Sequence, residues 1–182
     1  MKNVILIGYR CTGKSTAGKK LAERLARPFF DTDNLIARQS GTTILEIVKE
    51  GGWELFKRKE KDVIQSLSHE KNAVIAAGGG TFDDKENRDM MKKNGLFICL
   101  TGDVNTLVKR MSHDKKSPHL RPPLTSDDIY RETTRILNKR TPIYRQIAHY
   151  TVDTSERTND EVVDEIYSIV IKNKELSWQE IQ

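Results

Sequence analysis

Apolar residues in this chain gather in short unbroken runs separated by amphipathic stretches. Runs over residues 4–7, 29–30, 73–77 and 96–100, with a shorter one at 150–152, predict five strands. The first four end in glycine or an acid and give way to helical spacing. Ala17, Leu21 and Leu25 recur at i, i+4 and i+8 after the first strand. Val162, Val163, Ile166, Ile169 and Val170 form one face after the last. Strands that are apolar throughout rather than alternating are buried on both faces. The regular exchange of strand and helix therefore predicts an α/β fold in which a parallel sheet is covered by helices on either side. No repeat, low-complexity tract or linker interrupts it, so a single domain over residues 1–182 is expected, its core ending near residue 172.

Between these runs the pattern carries finer signals. Thr43-x-x-Glu46 reads as a capping box that opens a short helix, and Gly51-Gly52 breaks it. The helix that follows aligns Trp53, Phe56, Val63, Ile64 and Leu67 in one buried stripe, with Glu60 in its middle. A carboxylate there must be paired or wetted. Lys57 flanks the same face and is an i, i+3 partner for Glu60, whereas Arg58 turns away. Glu60 thus reads either as the polar floor of a pocket or as the rim of a surface ion pair. Asn94-Gly95 reads as a helix stop, and Asp103 as the cap of a helix holding Leu107, Val108 and Arg110. Ser126 is expected to cap a helix that breaks at Pro142, leaving Arg140 to present its guanidinium to an anion from the helix end.

The first strand runs into Gly8-Tyr9-Arg10-Cys11-Thr12-Gly13-Lys14-Ser15, a G-x-x-x-x-G-K-S phosphate loop in its proper strand–loop–helix setting. Its glycines let backbone N–H groups curl round a polyphosphate, with Lys14 for the β- and γ-phosphates and Ser15 for Mg²⁺. The chain is read as a nucleotide-binding protein. The second strand ends in Asp31-Thr32-Asp33. By strand alternation both carboxylates face one cleft, suiting one acid near Mg²⁺ and one near an acceptor hydroxyl; Asp33 also suits a helix N-cap. Gly78-Gly79-Gly80 closes the third strand. Three adjacent glycines cost too much chain entropy to be idle there, which suggests a ligand packed against backbone. The polar, proline-punctuated loop over residues 112–124 suits a lid, with Arg121 set to swing over the phosphates.

Composition narrows the classes. A net charge of +5 arises from 31 basic and 26 acidic residues that are interspersed, a bias that suits anionic small molecules. No clustered basic face with aromatics points to nucleic acid. No apolar run approaches the about 18 residues that cross a bilayer, so a cytoplasmic protein without membrane contact is expected. Two cysteines make no disulfide framework. Cys99 reads as packed in a strand, and Cys11 as either a tolerated small side chain or an exposed thiol. His113 and His119 lack a third metal ligand.

Taken in order, GYRCTGKST, FFDTD, GTTILEIV, GGWELFKRKE, AAGGG, LRPPL, KRTPIYRQIA and TVDTSERTN resemble shikimate kinase from the first strand to the last helix. The resemblance implies a three-layer α/β/α fold around a five-stranded parallel sheet of order 2-3-1-4-5. It also implies transfer of the ATP γ-phosphate to the 3-hydroxyl of shikimate, with Mg²⁺, by a monomer. Carried over by position, Ser15 and Asp31 hold the metal, and Lys14, Asp33 and Arg121 serve the chemistry. Gly8, Arg10, Cys11, Thr12, Gly13, Lys14, Ser15 and Thr16 cradle the phosphates, and Arg121 joins them from the lid. Arg110 and the turn from Arg157 resemble an adenine clamp. Asp33, Lys57, Glu60, Gly78, Gly79, Gly80 and Arg140 bind the acceptor, in a region over about 33–61 and beyond. Lys57 stands where the family usually has arginine, keeping charge but losing the bidentate fork. The rival readings are a gluconate-type or quinate-type kinase and a sensing homologue without catalysis.

Overall fold

In the computed structural model, residues 2–114 and 128–179 are described. Strands β1 (Asn3–Ile7), β2 (Phe29–Asp31), β3 (Val74–Ala76), β4 (Gly95–Thr101) and β5 (Tyr150–Asp153) form one sheet of order β2-β3-β1-β4-β5. Every pairing is parallel; Val4 sits between Val74 and Leu96 in register. The chain leaves β1 for one side of the sheet and later crosses to the other. The mouth of β1 is therefore the switch point where such sheets bind ligands.

The inner strands β1, β3 and β4 are buried on both sides as expected, whereas the edge strands are not: β2 is half-buried before Asp31 and β5 is exposed except at Val152. One core layer joins Ile5, Ile7, Ile75 and Phe97 to α2 (Thr32–Ser40), α3 (Ile44–Ser68) and α4 (Lys85–Lys92). The opposite layer joins Val4, Leu6, Ile98 and Leu100 to α1 (Lys14–Leu25) and α7 (Asn159–Gln179). Helices α5 (Val104–His113) and α6 (Ile129–Ile147) close the structure above the β4 end.

Local chemistry explains most boundaries. Thr43 and Glu46 make the reciprocal capping box, and Asp103 caps α5 by accepting from Thr106 N–H at 2.8 Å. Helix α3 bends at Gly51 and Gly52, the latter at φ +68°, a left-handed value that glycine alone takes without strain.

Four expectations are corrected. Gly95 does not stop a helix; it opens β4, where a Cβ would lie 2.8 Å from both the Met91 carbonyl oxygen and the Phe97 ring. Pro142 does not end α6, which continues to Ile147 although the proline withholds one helical hydrogen bond. Buried Tyr144, whose hydroxyl donates to the Gly79 carbonyl at 2.6 Å, anchors that last turn from outside. Asp128 caps α6, accepting from Tyr130 N–H at 2.8 Å; Ser126 lies outside the described residues. Trp53 leaves the buried stripe, being 37% exposed, and meets Phe56 edge-on.

Candidate active site

Residues 8–13 bridge β1 and α1 as a tight loop, with Gly13 at φ +89° and Cys11 at φ +61°. Lys14 is almost fully buried and its ammonium folds across the loop, donating to the carbonyls of Gly8 at 2.9 Å and Tyr9 at 2.7 Å. Thr12 secures the turn by donating to Tyr9 O at 2.8 Å. A cavity of about 270 Å³ opens over this loop, lined by Gly13, Lys14, Ser15, Thr16, Asp31 and Asp33 among others.

Ser15 Oγ donates to Asp31 Oδ2 at 2.5 Å, joining the start of α1 to the end of β2. The other Asp31 oxygen accepts from Asn34 N–H at 3.1 Å, so Asp31, rather than Asp33, caps α2. Strand alternation therefore does not govern the pair: β2 ends at Asp31, and Asp33 projects from the first turn of α2. Both carboxylates still line the same cavity. A hydroxyl and a carboxylate at the phosphate loop suit Mg²⁺, which takes few protein oxygens and completes its shell with phosphate and water. Among the described residues no cluster of three His, Cys, Asp or Glu side chains offers a closed metal cage.

A second, larger cavity of about 460 Å³ adjoins the first, and Arg10, Asp33, Gly78 and Gly79 belong to both. Its floor is Glu60, only 1% exposed. Glu60 accepts from Lys57 Nζ at 2.5 Å and from Thr81 Oγ1 at 2.7 Å. Burial raises its pKa, against the pull of the Lys57 ammonium. Lys57 also donates to Gly80 O at 2.8 Å, and Arg58 is exposed on the far side of the helix. Across the cavity, Arg140 binds Asp83 Oδ2 through Nε and a terminal nitrogen, each at 3.0 Å.

The three glycines give room to protein groups as much as to a ligand. A Cβ on Gly78 would stand 2.8 Å from Asp33 Oδ1, and one on Gly80 would stand 2.5 Å from an Arg140 nitrogen. Arg110 lies outside both cavities, reaching Thr154 Oγ1 at 2.9 Å and the Cys11 carbonyl at 3.4 Å. It thereby ties the phosphate loop to the turn after β5. Arg157, also outside them, pairs with Glu165 and donates to the Glu161 carbonyl at 2.8 Å. Arg121 and most of the 112–124 loop lie outside the described residues.

Sequence reading passed over Asp83, Thr81, Tyr144 and Glu132. Asp83 was signalled by its place just after the triple glycine. Glu132 was signalled by its spacing from Ile136 and Arg140, which puts all three on one helical face. Glu132 is 3% exposed and pairs with Arg10.

A family model described as shikimate kinase matches residues 10–170. The chain belongs to the shikimate kinase family. Within it, a shikimate kinase of Syntrophus aciditrophicus is 40% identical over 173 residues, covering 91% of this chain and 89% of that one. The solved shikimate kinase of Acinetobacter baumannii in complex with shikimate superposes with a TM-score of 0.88 at 33% identity, over 96% of this chain and 95% of that one. A gluconokinase of Sinorhizobium meliloti, at 18% identity and a TM-score of 0.62, shares the fold alone. Shikimate kinases are phosphotransferases that use ATP with Mg²⁺. No helix among the described residues is long and apolar enough to cross a membrane.

Proposed function

We propose that this protein transfers the γ-phosphate of ATP to the 3-hydroxyl of shikimate, with the nucleotide over the phosphate loop and the acceptor in the larger cavity. The observation that carries the reading is the shared wall. Asp33 and the Gly78–Gly79 backbone border both cavities, so a hydroxyl held by Asp33 faces a phosphate held by Lys14. Five cationic side chains and three carboxylates line the larger cavity, which leaves a net positive surface for a small carboxylic acid. Its volume falls in the range of small-molecule sites.

In this reading Lys14 turns from the loop carbonyls to the transferring phosphoryl group, and Arg121 is assigned by family resemblance to the same task from the lid. Ser15 and Asp31 would hold Mg²⁺, which supplies charge neutralisation at the phosphate oxygens when bound. Asp33 orients the attacking hydroxyl. A carboxylate suits this role in a loose transition state, in which the proton leaves late and positioning dominates. Arg140, held by Asp83, grips the acceptor carboxylate, with Lys57 as its weaker companion. The single domain, with an acceptor region near residues 33–61, belongs to the same proposal.

The test is an ADP-release assay with shikimate, quinate and gluconate as acceptors, run on the wild type and on Asp33→Asn. Turnover of shikimate is expected, falling by orders of magnitude in Asp33→Asn while nucleotide affinity holds. Activity on gluconate alone, or on no acceptor, overturns the assignment.

A further inference from the structure

We propose that Asp83 is a positioning residue that aims Arg140 at the acceptor carboxylate and so helps set the choice of acceptor; the inference rests on the acceptor assignment above. A guanidinium carries five N–H groups, and Arg140 spends two of them on one oxygen. Its Nε and one terminal nitrogen each lie 3.0 Å from Asp83 Oδ2. The other terminal nitrogen stands beside Gly79, where a Cβ would lie 3.6 Å from it. Asp83 therefore occupies the side edge of the guanidinium and leaves the fork between the two terminal nitrogens. A carboxylate takes such a fork with both oxygens. The side chain of Arg140 is 13% exposed and lines the larger cavity, so the fork belongs to the pocket rather than to open solvent.

An asymmetry between the partners makes Asp83 the anchor. Arg140 has a long stem with several rotatable bonds, whereas Asp83 has a short side chain on a clamped backbone. It ends the single 3₁₀ turn Thr81–Asp83, its N–H donating to the Gly80 carbonyl at 3.2 Å and its own carbonyl accepting from Arg88 at 3.1 Å. Phe82 beside it is 2% exposed, meets Phe97 edge-on at 5.3 Å, and offers its carbonyl to Arg88 at 2.6 Å. The remaining oxygen, Asp83 Oδ1, is buried with no hydrogen-bond partner among the described residues. An acid with one oxygen unmet is a poor choice for stability alone. Its place here is to fix the guanidinium before the acceptor arrives, so that binding does not have to freeze that side chain.

Steady-state ADP release by wild type, Asp83→Ala and Asp83→Asn tests this, with shikimate and its neutral carboxamide as acceptors. Asp83→Ala should raise KM for shikimate roughly tenfold, the worth of one charged hydrogen bond, with kcat within about twofold. Asp83→Asn keeps an oxygen able to accept from Nε and the terminal nitrogen, and should stay within about threefold of wild type. The carboxamide forms no ion pair with Arg140, so its KM should be the same in all three proteins. An unchanged or lowered KM for shikimate in Asp83→Ala overturns the proposal, as does an asparagine variant impaired as far as the alanine one. An equal loss of both acceptors marks a purely structural role and overturns it too. If wild type phosphorylates quinate or gluconate but not shikimate, the acceptor assignment falls instead, and the same comparison is read on that acid and its carboxamide. If wild type phosphorylates no acceptor, both readings fall.

Discussion

The ammonium of Lys57 lies 2.5 Å from Oε2 of Glu60 and 2.8 Å from the carbonyl oxygen of Gly80. Two of its three donors are thus spent on the protein, and one remains for an acceptor carboxylate. An arginine here would keep the contact with Glu60 and add a planar fork toward the cavity. Lys57→Arg is expected to lower KM for shikimate roughly tenfold, the worth of one charged hydrogen bond, with kcat little changed. Steady-state kinetics with varied shikimate check this. A raised KM would mean that the pocket is built around the ammonium.

The space beside Gly78 sets a second expectation. A Cβ there would stand 2.8 Å from Asp33 Oδ1, 3.0 Å from Thr81 Oγ1 and 3.4 Å from Glu60 Oε1. All three are polar groups already held in place, so Gly78→Ala must displace the Asp33 carboxylate. A shift of about 1 Å at a reacting group costs on the order of a hundredfold in rate. The kcat should fall by about that factor while thermal stability drops by only a few degrees. Near-normal kcat would place Asp33 outside the chemistry.

Acid sensitivity has a local origin at His149. Its Nδ1 accepts from Phe97 N–H at 3.1 Å, its own N–H donates to the Phe97 carbonyl at 2.9 Å, and its ring stacks on Phe97. Partial desolvation of the ring against Phe97, followed by nearby Lys2, lowers its pKa below the ordinary value of about 6.5. The unfolded chain therefore takes up the proton at higher pH than the native one. The contribution of His149 to stability is full above about pH 6.5 and is lost as pH falls from there through the lowered native value. His149→Asn keeps an acceptor that does not titrate. Melting temperatures between about pH 7.5 and 5.5 should decline less steeply in that variant than in wild type.

Much of this architecture is legible in the chain because its signals are local. The unbroken apolar runs, the capping box at Thr43 and the phosphate loop each announce themselves within a few residues, and the sheet order followed from resemblance. Part of what escaped depends on distant partners, and part on a neighbouring cap or bend that redirects a side chain. Pro142 reads as a break, yet Tyr144 reaches Gly79 and carries the helix past it. Asp31 and Asp33 read as strand neighbours, yet Asn34 draws Asp31 into a cap and moves Asp33 onto a helix. Trp53 has core spacing, but the bend at Gly51 and Gly52 turns it toward the cavity mouth. The pairing of Arg10 with Glu132 joins a loop to a helix far along the chain, and no periodicity encodes it.

That bend divides labour within α3. The segment before it packs Ile44 and Ile47 into the core, while the segment after it delivers Lys57 and Glu60 to the cavity. Because Gly52 holds a left-handed angle, any side chain at that position would press the two segments toward a straight rod and swing the second off its target. Under the proposed site assignment, acceptor choice is written partly in a stretch of main chain that lines neither cavity. A gene library varying only the pocket-lining side chains would leave that determinant unexplored.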